Sequence, residues 1–129
     1  MDPYTTPDPI TVDAVDRGAA FARLTPGVHA PSAIFALAER SSRAAIAGAA
    51  APLRTGIEAA PSASAFSYVR EANGGLEAVA AVELEIVDDF VDALGRDGRI
   101  SAVVNVVVID QDGSEVAHAS FDWVVLRRE

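Results

Sequence analysis

The stretch Thr25 to Gly48, TPGVHAPSAIFALAERSSRAAIAG, carries one carboxylate, Glu39, among small apolar residues. A half-buried carboxylate can serve as a general base or attack an electrophilic carbon directly. It can equally form an i,i+4 ion pair with Arg43, a helix-surface contact worth a few tenths of a kcal/mol. His29 stands just before the same segment, where a loop histidine near a helix start is the plain reading. Asn105 interrupts a run of Val and Ile and is expected to be a polar residue satisfied by hydrogen bonds across a sheet or a subunit contact. His118 falls mid-strand on the face shared with Ser120 and Asp122, opposite Phe121 and Trp123, and reads as structural. Arg127 and Arg128 are adjacent solvated charges, and Asp88, Asp89 and Asp92 fit the first turn of a helix without a metal.

Other chemistries are excluded. There is no Cys, so disulfides, thiolate metal sites and a Cys nucleophile are out. No ligand pair has zinc spacing, no metal or cofactor is implied, and "GGL" at Gly74 follows a turn, not the strand that a phosphate-binding loop requires. The net charge is −9, with six acids against five arginines in residues 1–64 and thirteen against five in residues 65–129. Such a chain repels nucleic acid and has no basic block to hold a membrane surface. All ten basic residues are Arg, suited to bidentate contact with phosphate or carboxylate. "MDPYTTPDPI" lacks the basic start and apolar run of a signal peptide, and no apolar stretch approaches the ~18 residues of a membrane span, so a soluble cytoplasmic protein is expected.

These residues need a scaffold. A chain of 129 residues supports one core, built mainly from Ala, Val, Leu and Ile because only 6% of residues are aromatic. The Pro-rich start predicts an N-terminal arm over residues 1–16, with a domain over 17–129 and a first strand around Gly18 to Leu24. Pro31 to about Ala50 predicts one long helix, Ile34, Leu37, Ala38, Ser41 and Ala45 sharing a face, with Ala-rich sides that call for cover in several directions. After a loop through Pro52, Gly56 and Pro61 the period changes to two. "ASAFSYVREA" reads as a strand, "NGG" at Asn73 as a hairpin turn, and "LEAVAAVELEIV" as a long strand. "DDFVDALGRDGR" reads as a short helix ended by Gly95, and "ISAVVNVVVID" and "EVAHASFDWVVL" as two last strands. The first of these is apolar on both faces, which suits a central strand or a subunit contact. The fold class is α+β, an antiparallel sheet wrapped around one long helix.

This order, with "GVHAPSAIFALAE", "AFSYVREANGGLEAVAAVELEI" and "VVNVVVIDQDGSEVAHASFDWVVLRR", resembles the hotdog-fold acyl-CoA thioesterase superfamily over roughly residues 17–128. Within it the chain looks most like the uncharacterised thioesterase-like branch with a short helical insertion before the last two strands. The resemblance implies a five-stranded sheet, dimers or tetramers, active sites between subunits, and an acyl-CoA or acyl-carrier thioester as substrate. Related enzymes draw a carboxylate from a helix bearing "HGG…LAE", and "FALAE" puts Glu39 in that position. The oxyanion donor is then a backbone N–H at the helix start. Pro31 and Ser32 replace the usual Gly-Gly, and because Pro31 has no N–H the donor falls to Ser32. By the same resemblance His29, Ser42, Arg43 and Asn105 are candidates for contact with substrate.

Two rivals keep the fold. One is a non-catalytic dimeric protein that binds an acyl thioester or serves a structural role. The other is a hotdog dehydratase, suggested by "TPGVHAP". The many-sided helix and the two-faced strand from Ile100 to Ile109 expose more apolar surface than a small subunit readily covers, so a homodimer or homotetramer is expected.

Overall fold

The apolar alternation through the last third of the chain yields two of its longest strands. The computed structural model describes residues 10–24, 31–53 and 56–128. In chain order the elements are β1 (Ile10–Asp16), β2 (Ala19–Leu24), α1 (Pro31–Ala50), β3 (Ile57–Tyr68), β4 (Leu76–Val82), α2 (Leu84–Asp97), β5 (Arg99–Ile109) and β6 (Glu115–Arg127). Among the described residues the strands form one sheet of six, ordered β1-β2-β4-β5-β6-β3, with every neighbouring pair antiparallel.

α1 lies across one face of this sheet. It packs mainly on β2 and β4, then on β1 and β5, and only thinly on β3 and β6. The face predicted for the helix is the face it buries: Ile34, Leu37, Ala38, Ser41 and Ala45 are all inaccessible or nearly so. Opposite them stand Ala20, Ala22, Ala78 and Ala80, so alanine meets alanine and the backbones approach closely. The approach is tightest near the end of α1, where a Cβ on Gly48 would lie 2.3 Å from the Asp16 carbonyl oxygen and 2.7 Å from a Val15 methyl carbon. Larger side chains fill the other half of the core, with Val104, Val106 and Val108 on β5 and Phe121, Trp123 and Val125 on β6.

The structure amends several expectations. Ile10–Asp16 joins the sheet as β1, so the domain takes in residues assigned to the arm; a register shift between Val12 and Ala14 breaks the alternation that would have announced it. Among the described residues six strands therefore stand where five were expected. The strand expected to run to Ile86 and Val87 stops at Val82, because Val87, Phe90, Val91 and Leu94 repeat at helical spacing and α2 begins at Leu84. Asp88 and Asp89 thus fall past the first turn of α2. Gly95 is inside that helix, which ends instead at Gly98, a left-handed cap with φ 73° whose N–H donates to the Leu94 carbonyl. β3 starts at Ile57 and runs through Pro61, which an edge strand with a register shift between Pro61 and Ala63 tolerates. Asn73-Gly74-Gly75 is not a hairpin, since β3 pairs with β6 and β4 with β2 and β5. β5 is central, as its two-faced pattern suggested.

The Asn73 corner is held instead by the β5–β6 turn. Asp110, buried, accepts hydrogen bonds from the backbone N–H groups of Asn73 (3.1 Å), Asp112 (3.0 Å) and Ser114 (3.2 Å). Burial alone would raise its carboxyl pKa, but the three N–H donors and the Arg70 charge outweigh it and hold the group below the usual aspartate range.

Candidate active site

Because α1 is thin cover for β3 and β6, one stripe of the helix faces a gap. Phe35, Glu39 and Arg43 recur at i, i+4 and i+8 along that stripe. Phe35 meets Phe66 of β3 at 5.4 Å and Phe121 of β6 at 5.8 Å between ring centroids, and Phe66 meets Tyr68 at 4.7 Å. Two turns on, the Arg43 guanidinium lies 4.8 Å from the centre of the Trp123 ring and donates to the Ala59 carbonyl at 3.4 Å. Glu39 stands between these two groups. Its side chain is 37% exposed, with Oε1 3.6 Å from Arg43 Nη2. On β3, between the Phe66 and Ala59 contacts, residues 60–65 (Ala, Pro, Ser, Ala, Ser, Ala) are exposed, with Pro61 and Ser64 on the face of Trp123 and Phe121, and among the described residues β3 has a strand partner on one side only.

The structure brings together only some of the candidates. Glu39 and Arg43 form the i,i+4 pair that their spacing allows. Ser42 is fully buried, and its hydroxyl donates to the Glu39 carbonyl at 2.7 Å, which fixes the helix backbone instead of opening toward the gap. Ser32 is exposed in the first turn of α1. It lies seven residues, about 10 Å along the axis, from Glu39. Within this chain Asn105 is exposed on the sheet face turned away from α1, because the alternation along β5 that buries Val104 and Val106 turns it outward. His29 lies outside the described residues. His118 is exposed on the outer face with Nδ1 3.6 Å from a Glu115 carboxylate oxygen. Arg127 donates to the Gly95 carbonyl and Arg128 pairs with Glu58 at 3.4 Å.

A cleft of about 610 Å³ opens beside the start of α1, lined by Ile34 and Val116, by residues 68–70 and 72, and by the carboxylate residue Glu71. Its size suits a small-molecule site, and Tyr68 links it to the aromatic wall beside Glu39. A smaller cleft of about 320 Å³ lies among Arg23, Glu77, Ile109 and Asp110, at residues remote in sequence and element from the Glu39 stripe. The aromatic wall was not foreseen as part of a site. Its signal lay in scarcity: of eight aromatic residues, five (Phe35, Phe66, Tyr68, Phe121 and Trp123) gather around this one helix stripe.

A family model described as a domain of unknown function, DUF4442, matches residues 5–125, almost the whole chain. The chain belongs to that family. No curated protein matches it. Among solved structures, the Pseudomonas aeruginosa protein PA5026 is 18% identical and superposes with a TM-score of 0.75 over 92% of this chain and 83% of its own. A hypothetical thioesterase protein from Streptococcus pneumoniae, solved with coenzyme A, is 15% identical with a TM-score of 0.68 over 93% of this chain and 88% of its own. The protein smu.793 of Streptococcus mutans, bound to acetyl CoA, is 20% identical with a TM-score of 0.69 over 100% and 98%. The DUF4442 domain therefore has the hotdog fold that the sequence resembles. Among the described residues, no helix is long and apolar enough to cross a membrane, and no group of three acidic, His or Cys side chains could hold a metal ion.

Proposed function

We propose that this DUF4442 protein hydrolyses acyl-CoA or acyl-carrier thioesters with Glu39 as the general base. The observation that carries the reading is the placement of Glu39: a part-exposed carboxylate on a helix buried along one face, bracketed by aromatic rings and a stacked arginine, beside a strand the helix covers only thinly. Glu39 takes a proton from water, and the resulting hydroxide attacks the thioester carbonyl. A backbone N–H at a helix start, that of Ser32 in a second copy of the chain, steadies the oxyanion before collapse expels the thiolate. The proton held by Glu39 then passes to that thiolate, leaving a carboxylic acid and a free thiol. The coenzyme A and acetyl CoA carried by the two streptococcal structures support a substrate of this class.

The distance between donor and base supports a homodimer. A separation of about 10 Å along one helix is too long for Ser32 N–H and Glu39 to serve the same carbonyl. A second copy seated on the open edge of β3 supplies the missing half-site. Cytoplasmic residence follows from the same reading, since acyl-CoA is an intracellular carrier.

The test is thiol release from short, long and aromatic acyl-CoA thioesters by the wild type and Glu39→Gln, with no Cys to give background. Turnover that falls on the order of a hundredfold or more in the variant supports the assignment. Equal turnover in both, or none in either, removes it. The ion pair with Arg43 favours a second reading, acyl-thioester binding without chemistry, which a thermal shift with acyl-CoA and no thiol release would establish.

A further inference from the structure

Arg43 touches three different elements. Its guanidinium stacks on Trp123 of β6, one nitrogen donates to the Ala59 carbonyl of β3, and another faces the Glu39 carboxylate on α1. An exposed i,i+4 pair is by itself a weak contact. Here two of the three contacts lie off the helix, so the guanidinium is fixed relative to the sheet, and the carboxylate beside it is fixed in turn. A planar fork suits this task, because its face stacks while its rim points at two acceptors. The choice of Trp below it fits as well. Trp123 is fully buried and, among the described residues, its indole N–H meets no hydrogen-bond partner, so that donor does not account for the choice of Trp. What a Trp supplies better than other rings is a face for a cation.

We propose that Arg43 is a positioning residue that holds the Glu39 carboxylate at its working angle over β3, with Trp123 as its platform. The proposal rests on Glu39 being the base. Its test measures kcat and KM on a turned-over acyl-CoA for the wild type, Glu39→Gln, Arg43→Gln, Arg43→Lys, Trp123→Phe and the double variant Glu39→Gln/Arg43→Gln. Arg43→Gln should lower kcat about tenfold with KM inside about twofold. Lys, which keeps the charge but cannot reach two acceptors while stacked, should recover part of the loss, and Trp123→Phe should fall between Arg43→Gln and the wild type. The double variant should be no slower than Glu39→Gln alone, since the arginine acts through that carboxylate. Arg99→Gln, an exposed arginine at the start of β5, should match the wild type and controls for the loss of one charge.

Wild-type kcat in Arg43→Gln with an inactive Glu39→Gln overturns the role of Arg43 and leaves the base in place. A rise in KM alone makes Arg43 a substrate contact and also overturns it, as does a further slowing in the double variant. Full activity in Glu39→Gln, or no thioester turned over by the wild type, overturns both readings together. Should Arg43→Gln fail to fold, Arg43→Lys and Trp123→Phe carry the test: wild-type kcat in both overturns the proposal.

Discussion

The two halves of the sheet are packed on opposite plans. Under β2 and β4 the helix meets alanine with alanine and is pressed close; toward β6 and β3 it meets rings and then nothing, and residues 60–65 lie bare. Small residues on one side tilt the cover toward that side, and the open side is where the one carboxylate of α1 stands. The lesson is that a gap over a sheet can be set by what is packed opposite it, not only by the residues that line it.

Substitutions can break this contrast in order of size. The largest effect on stability should come from Phe121→Ala, which removes a buried ring that also supports Phe35; a loss of about 3–5 kcal/mol is expected in denaturant unfolding. Next, Ala80→Leu in the close-packed half should cost about 1–3 kcal/mol by overpacking beneath α1. An enlargement on the α1-facing side of the bare half, Ser64→Leu, which pairs with Phe121, should stay within about 0.5 kcal/mol, and a similar loss at both sites would show that the halves are not differently packed. Smaller in stability but visible in mass, Ser64→Lys places a charge on the open strand and, if the proposed homodimer forms there, should shift the particle from twice to once the 13.4 kDa of one chain in light scattering; an unchanged oligomer would move the subunit contact elsewhere, and a monomeric wild type would remove it.

The least effect belongs to the corner away from both halves, and it depends on pH. Asp110 has its folded pKa held low, so its ionised form stabilises the fold above the ordinary aspartate range and that contribution fades as pH falls through the folded value. Asp110→Asn should therefore melt below the wild type at neutral pH, with the gap narrowing below about pH 4. A gap that does not change with pH would mean that shape, not charge, holds the turn to Asn73.

The sequence made the central parts of this fold legible and its margins less so. α1, β5 and β6 announce themselves because burial enforces one period over many residues, and the Glu39–Arg43 pair follows directly from helical spacing. The Asn-Gly-Gly at residues 73–75 misled because turn chemistry reports a change of direction, not which strand comes next; a carboxylate 37 positions away decides where that corner docks. β3 was shortened because Pro61 argues against a strand interior, and only its edge position removes the objection. For the candidate site, Glu39 could be singled out from one motif, whereas the wall around it joins residues from α1, β3 and β6 that no local pattern connects.

The close contact at Gly48 has a further consequence. That residue sits nine positions beyond Glu39, about 13 Å along the same rod, and the Asp16 carbonyl stands where its side chain would begin. A methyl group there cannot be absorbed locally, so the rod must slide or tip, and the far arm of that lever carries the carboxylate. The reach of Glu39 into its gap is thus gauged at the opposite end of the helix, by a residue whose contribution is to have no side chain.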